Sequence, residues 1–110
     1  MANSRVQRGR QTQTMVAEWL RSHGYPDAEP VPAFLSGKDI IGTPGLSIEV
    51  KATSDVPILG GVRQAVQNAD LGDLPLVVWR PNGYGPNRID EWIIATQLQH
   101  LPTILKGLTS

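Results

Sequence analysis

Asp39, Glu49 and Lys51 are the residues of this chain best suited to chemistry. They stand in the stretch Ser36-Gly-Lys-Asp-Ile-Ile-Gly-Thr-Pro-Gly-Leu-Ser-Ile-Glu-Val-Lys51. An acid opens a short apolar segment, a Gly/Pro turn reverses the chain, and the returning strand carries a second acid and a lysine two residues apart. Side chains at i and i+2 of a strand project from one face, so Glu49 and Lys51 are expected side by side. The reversal is expected to bring Asp39 alongside. Two carboxylates beside an ammonium can hold a hard divalent cation and activate a water. An isolated Glu-x-Lys is more often a solvated ion pair of little consequence. Asp39 on the facing strand is what favours chemistry here.

The elements that must position these groups follow from periodicity and breakers. Residues 8–23 read as a helix, with Met15, Val16, Trp19 and Leu20 on one side and Gly24 as its stop. Residues 28–35 form a proline-interrupted apolar stretch, an edge strand or extended segment. Residues 39–41 and 46–52 read as a hairpin around Thr43-Pro44-Gly45. A second helix is expected over 61–69, with Val62, Ala65, Val66 and Ala69 inward. Residues 74–79 are nearly all apolar, as in a central strand covered on both faces. Residues 91–95 read as a last strand. Thr96 is placed to cap a final helix carrying Leu98, Leu101, Ile104 and Leu105, which Pro102 would bend or divide. The order α-β-β-β-α-β-β-α predicts an α/β layer fold, a small mixed sheet flanked by helices.

The 110 residues suit one domain, 1–110, with residues 1–8 as a flexible basic arm. No apolar run approaches the roughly 20 residues that span a bilayer, so no membrane role is expected. Cysteine is absent, which removes thiolate chemistry and fits a cytoplasmic location. Ten basic and ten acidic residues give a formal net charge of zero, which on its face argues against nucleic acid. The distribution argues otherwise. Arg5, Arg8 and Arg10 crowd the start with no acid among them, and a bound cation would offset Asp39 and Glu49. A basic arm beside an acidic metal pocket suits chemistry on a phosphodiester. His23 and His100 lack the spacing of a zinc site, and His23 falls near a helix end, where it can act as a C-terminal cation. The Gly60-Gly61 and Gly83-Tyr84-Gly85 pairs are not followed by the Lys-Ser/Thr of a phosphate loop. Trp19 and Trp79 are expected in the core, with Trp92 open between packing and stacking on bases.

An acid, nine intervening residues, then Glu-x-Lys on a strand resembles the PD-(D/E)xK nuclease superfamily, and the order of elements resembles that superfamily's restriction-endonuclease-like core. The likeness is nearest to small Holliday junction resolvases of the archaeal type and their relatives in phages of actinobacteria. Arg8-Gly9, Ser36-Gly37, Asp39 and Ile48-Glu49-Val50-Lys51 carry it, and it covers nearly the whole chain. Two positions depart from the pattern. Lys38 stands where the family usually has proline, and Gln13 stands where archaeal resolvases carry a helical glutamate. Glu18 is the only acid of that helix but points away from its apolar face, so Gln13 is the favoured substitute.

The resemblance implies a magnesium-dependent endodeoxyribonuclease, with manganese as a possible substitute ion, that leaves 5′-phosphate and 3′-hydroxyl ends. Asp39, Glu49 and the carbonyl of Val50 would ligate the ion. Lys51 would orient or help deprotonate the attacking water, and Gln64 on the second helix and Gln13 on the first would complete the catalytic surroundings. Arg5, Arg8, Arg10, Ser36, Lys38 and Arg63 would contact DNA, with Arg80 and Arg88 as further phosphate contacts. The implied partner is branched DNA, a four-way junction cut by a twofold homodimer in the cytoplasm, that of a bacterial host if the chain is phage-encoded. The apolar stripe around Leu98, Leu101, Ile104 and Leu105 is expected either to join that interface or to cover the sheet. The rivals are a flap or nicking nuclease on the same core, and a DNA-binding module that does not cleave.

Overall fold

The computed structural model describes residues 4–32, 34–53, 55 and 58–109. The chain forms α1 (Ser4–Arg21), β1 (Glu29–Pro30), β2 (Ile40–Ile41), β3 (Leu46–Lys51), α2 (Ile58–Gln67), β4 (Leu74–Trp79), β5 (Ile93–Ala95) and α3 (Leu101–Thr109). This is an α/β fold of two small sheets flanked by helices. In the larger sheet β4 lies between β3, parallel to it, and β5, antiparallel to it. Helix α2 makes the crossover that a parallel pair requires. The expected central strand over 74–79 is therefore central.

Helix α1 begins earlier than its pattern suggests. The arm expected over residues 1–8 is helical from Ser4 onward, and residues 1–3 lie outside the described residues. Arg5 and Arg8 are thus carried on helical turns. The stop is the expected one: Gly24 has φ +105°, and the Tyr25 N–H returns to the Leu20 carbonyl at 3.0 Å. The imidazole Nδ1 of His23 lies 2.6 Å from the Trp19 carbonyl, as a polar group at a helix C-terminus can.

The hairpin needs correction. The chain does reverse at Thr43-Pro44-Gly45, where the Leu46 N–H bonds the Thr43 carbonyl and Gly45 has φ +85°. Strand β2, however, pairs antiparallel with β1, in the register Glu29↔Ile41 and Pro30↔Ile40. Only the Asp39 N–H, bonded to the Ile48 carbonyl at 3.1 Å, joins this segment's main chain to β3. Gly42 permits this approach: with φ +76° it lies so close to the carbonyl of Asp27 that a Cβ would collide with it.

The main core lies between α1 and one face of the larger sheet. Val16, Ala17, Ala28, Ile40, Ile48, Val50 and Trp92 are buried there. Trp92, left open by its sequence, is the most buried tryptophan. Trp19 and Trp79 are half-buried and use their ring N–H groups on Asp90 Oδ1 (2.9 Å) and the Thr53 carbonyl (3.1 Å). Helix α2 covers the other face with Gly61, Val62 and Ala65, and the Ser47 hydroxyl donates to the Ala65 carbonyl at 2.7 Å. Val66, expected inward, is exposed. Helix α3 does not cover the sheet. Its main packing is against the 3-10 turn before it, and Leu98, Leu101, Ile104 and Leu105 are all exposed. Pro102 divides this segment as expected, standing at the second position of α3, where its missing N–H costs nothing. No helix among the described residues is long and apolar enough to cross a membrane.

Candidate metal centre

Strand β3 places Glu49 and Lys51 on the face toward α2. Their side chains meet, with Lys51 Nζ 3.3 Å from Glu49 Oε1. Asp39, just before β2, reaches the outer edge of β3. Its N–H donates to Ile48 and its Oδ2 accepts the Val50 N–H at 2.7 Å. Those two contacts fix its carboxyl beside Glu49, and the two acid side chains interact directly. The three residues chosen from spacing do converge.

The backbone adds a donor. The N–H and C=O of one strand residue leave the strand on the same side. Lys51 turns inward, its carbonyl accepting the Arg80 N–H at 2.8 Å. Val50 alternates with it and directs its N–H to Asp39, so its carbonyl opens on the edge that Asp39 occupies.

Electrostatics show the stress in this arrangement. Glu49 is only 7% exposed. Burial raises its pKa from 4.5 to about 7, the Asp39 charge adds to the rise, and Lys51 opposes it. Burial raises Asp39 as well, against the Val50 N–H and Lys51. Two acids crowded in partial burial carry more negative charge than one lysine balances. A hard dication would relieve that excess, so the donor set fits magnesium, which takes one or two carboxylates and keeps water or substrate oxygens elsewhere. Manganese accepts the same donors. Among the described residues no group of three or more His, Cys, Asp or Glu gathers, so the protein donors here would be Asp39, Glu49 and the Val50 carbonyl.

The other expected residues fall into three groups. Gln13 is half-buried and lines a cleft with Arg10, Pro30 and Val31, whose N–H bonds the Asp39 carbonyl at 2.9 Å. That puts Gln13 on the Asp39 side of α1, while Glu18 is exposed. Gln64 and Arg63 are exposed on α2, Ser36 is exposed in the loop before Asp39, and Arg5 and Arg10 are exposed on α1. No hydrogen bond joins Gln13 or Gln64 to the two acids or to Lys51. Lys38 and Arg88 have partners of their own. Lys38 Nζ bridges Asp70 (2.9 Å) and Asp73 (2.7 Å), which raises its pKa. Arg88 forks onto Glu91 and stacks on Tyr84, with 3.8 Å to the ring centroid. Neither is free to meet a phosphate without breaking those contacts.

Arg8 is placed differently from a flexible arm residue. It is half-buried, and its Nε donates to the Ala52 carbonyl at 3.0 Å, one residue beyond Lys51. Thr12, absent from the sequence reading, is fully buried beside it. The available signal was its position, a small polar residue one turn before Val16 on the inward side of α1.

Searches against protein-family models, curated proteins and solved structures find no match to this chain. The functional reading therefore rests on the geometry and on the likeness of residues and element order.

Proposed function

We propose that this chain is a magnesium-dependent endodeoxyribonuclease with a restriction-endonuclease-like core, acting as a homodimer on four-way DNA junctions. The observation that carries the reading is the meeting of Asp39, Glu49 and Lys51 at the outer edge of β3. Asp39, Glu49 and the Val50 carbonyl would hold the ion. When bound, the ion supplies charge neutralisation for the phosphate and a water of lowered pKa. Lys51 stands 3.3 Å from Glu49, where its ammonium can orient the attacking water and meet charge developing on the phosphoryl oxygens. The Glu49 carboxylate holds Lys51 in that place. The twofold dimer is argued from substrate symmetry, since two strands must be cut and each domain has one such site. The exposed apolar side of α3 offers a surface for it.

The test is cleavage of a synthetic four-way junction, a flap and a plain duplex in parallel, with magnesium or with a chelator. The expected result is magnesium-dependent cutting of the junction. Glu49→Ala should abolish cutting by roughly 10²-fold or more and leave junction binding intact. Preferential cutting of the flap would move the assignment to a repair nuclease on the same core. Binding without cutting by the wild type would leave a DNA-binding module.

A further inference from the structure

Among the described residues only two buried side-chain polar atoms lack a hydrogen-bond partner, Arg8 Nη2 and Trp92 Nε1. Trp92 lies against the Arg80 guanidinium, and Arg8 is close enough for its charge to act on Arg80. Arg80 is buried, 8% exposed, and lies over the Trp92 ring at 5.3 Å from the centroid. Its Nη1 donates to the Thr12 hydroxyl at 3.1 Å, its Nε donates to the Tyr84 carbonyl at 2.9 Å, and the Thr12 hydroxyl in turn donates to the Arg8 carbonyl at 2.7 Å. No carboxylate among the described residues pairs with Arg8 or Arg80.

Two guanidiniums, two unused donors and no anionic acceptor therefore share one small region. Buried charges are normally paired, and a buried donor without an acceptor is costly. Burial and the charge of Arg8 both depress the Arg80 pKa, as expected of like charges facing each other. A tetrahedral oxyanion would satisfy this set, since arginine donors fork onto phosphate oxygens. The region is tied to the candidate metal centre through the backbone. The Arg80 N–H bonds the Lys51 carbonyl and Arg8 Nε bonds the Ala52 carbonyl.

We infer that Arg8 and Arg80 form a phosphate-binding site at the end of β3, which opens as the Arg8 side chain swings outward, and that its occupant is a phosphate group of the nucleic-acid strand engaged at Lys51. The phosphate chemistry rests on these contacts alone, and the strand as its source rests on the nuclease reading.

The test uses the full chain without metal, so that no cleavage enters it. Inorganic phosphate is titrated at constant ionic strength, followed by calorimetry and thermal unfolding. Wild type should bind it saturably and unfold at a higher temperature. Arg8→Gln should weaken phosphate binding about tenfold or more, while Arg8→Lys, which keeps the charge but not the fork, should fall between them. Arg8 makes one backbone contact, so both variants should fold, and their circular dichroism checks this. A short oligonucleotide should compete with phosphate in wild type. Competition supports the strand as source, and phosphate binding without competition overturns that part. No phosphate binding, or equal binding by Arg8→Gln, overturns the site itself. Magnesium-dependent junction cutting in that last case would show that the nuclease reading stands without it.

Discussion

Glu49→Gln offers a test in which the sign of the answer is informative. The Glu49 pKa is about 7 in the folded chain against an ordinary 4.5. Between those values the folded chain holds a proton that the unfolded chain has released, so raising the pH favours unfolding. The stabilisation is complete below about pH 4.5 and is lost by the time the pH passes 7. A shift of that size is worth at most about 3–4 kcal/mol, and solvent screening lowers it to about 1–2 kcal/mol. For a domain of this size that is roughly 5–10 °C in Tm. Glutamine keeps the shape, can donate to Asp39 and accept from Lys51, and has no charge to repel. Thermal unfolding is followed in chelator from pH 4.5 to 8 for both proteins. The difference between them should be near zero at the acid end and should favour Glu49→Gln by the stated amount at pH 8. Added magnesium should then raise wild type and leave the variant unchanged. A solvated Glu49–Lys51 ion pair predicts the opposite sign, a small loss at pH 8 when Lys51 is left without its partner. A flat difference, or a variant less stable at pH 8, would refute the argument that these acids are crowded into one buried site.

Two further expectations follow from packing. A Cβ on Gly61 would stand 2.8 Å from Val77 Cγ2 and 3.6 Å from Lys51 Cγ. Gly61→Ala should therefore cost about 1–3 kcal/mol in chemical denaturation through the Val77 contact, the Lys51 approach being ordinary van der Waals contact, whereas unchanged stability would mean that α2 shifts freely on the sheet. Leu101→Asp with Ile104→Asp, on the exposed side of α3, should turn a dimer into a monomer in sedimentation velocity with little change in Tm. A persisting dimer would place the interface elsewhere, and a large loss of Tm would mean that α3 packs on its own sheet in solution.

Much of the site was legible because it depends on the simplest periodicity. Residues two apart on a strand share a face, so Glu49 and Lys51 could be paired from sequence, and the breakers at 43–45 brought Asp39 near. The partner of β2 was not legible. It requires the close approach of Gly42 to the Asp27 carbonyl, a contact between segments that carry no local signal of each other. The acidic partners of Lys38 and Arg88 were not legible for a similar reason. A basic residue looks the same in sequence whether it faces a phosphate or, like Lys38, an acid 32 residues away. Thr12 was passed over, and the burial of Arg80, expected only as a phosphate contact, was not legible, because polarity is read as exposure. Their burial makes sense only once α1 and the end of β4 are seen together.

The place of the chemistry in the fold has its own logic. Strand β3 is the outer member of a three-stranded sheet, and an outer strand leaves main-chain donors and acceptors that invite pairing with another chain. Here Asp39 occupies that edge, giving its N–H to Ile48 and taking the N–H of Val50. One acid thereby protects the edge and fixes its own carboxylate beside Glu49. The Val50 carbonyl, left open by the same alternation, then becomes a third oxygen pointing to the same side. On the proposed nuclease reading this edge stays uncovered so that DNA can reach it, which a second strand in the place of Asp39 would prevent. Burial raises both carboxyl pKa values, and at Glu49 the Asp39 charge adds to the rise, so the cost of placing two acids together at this edge of β3 falls mainly on Glu49.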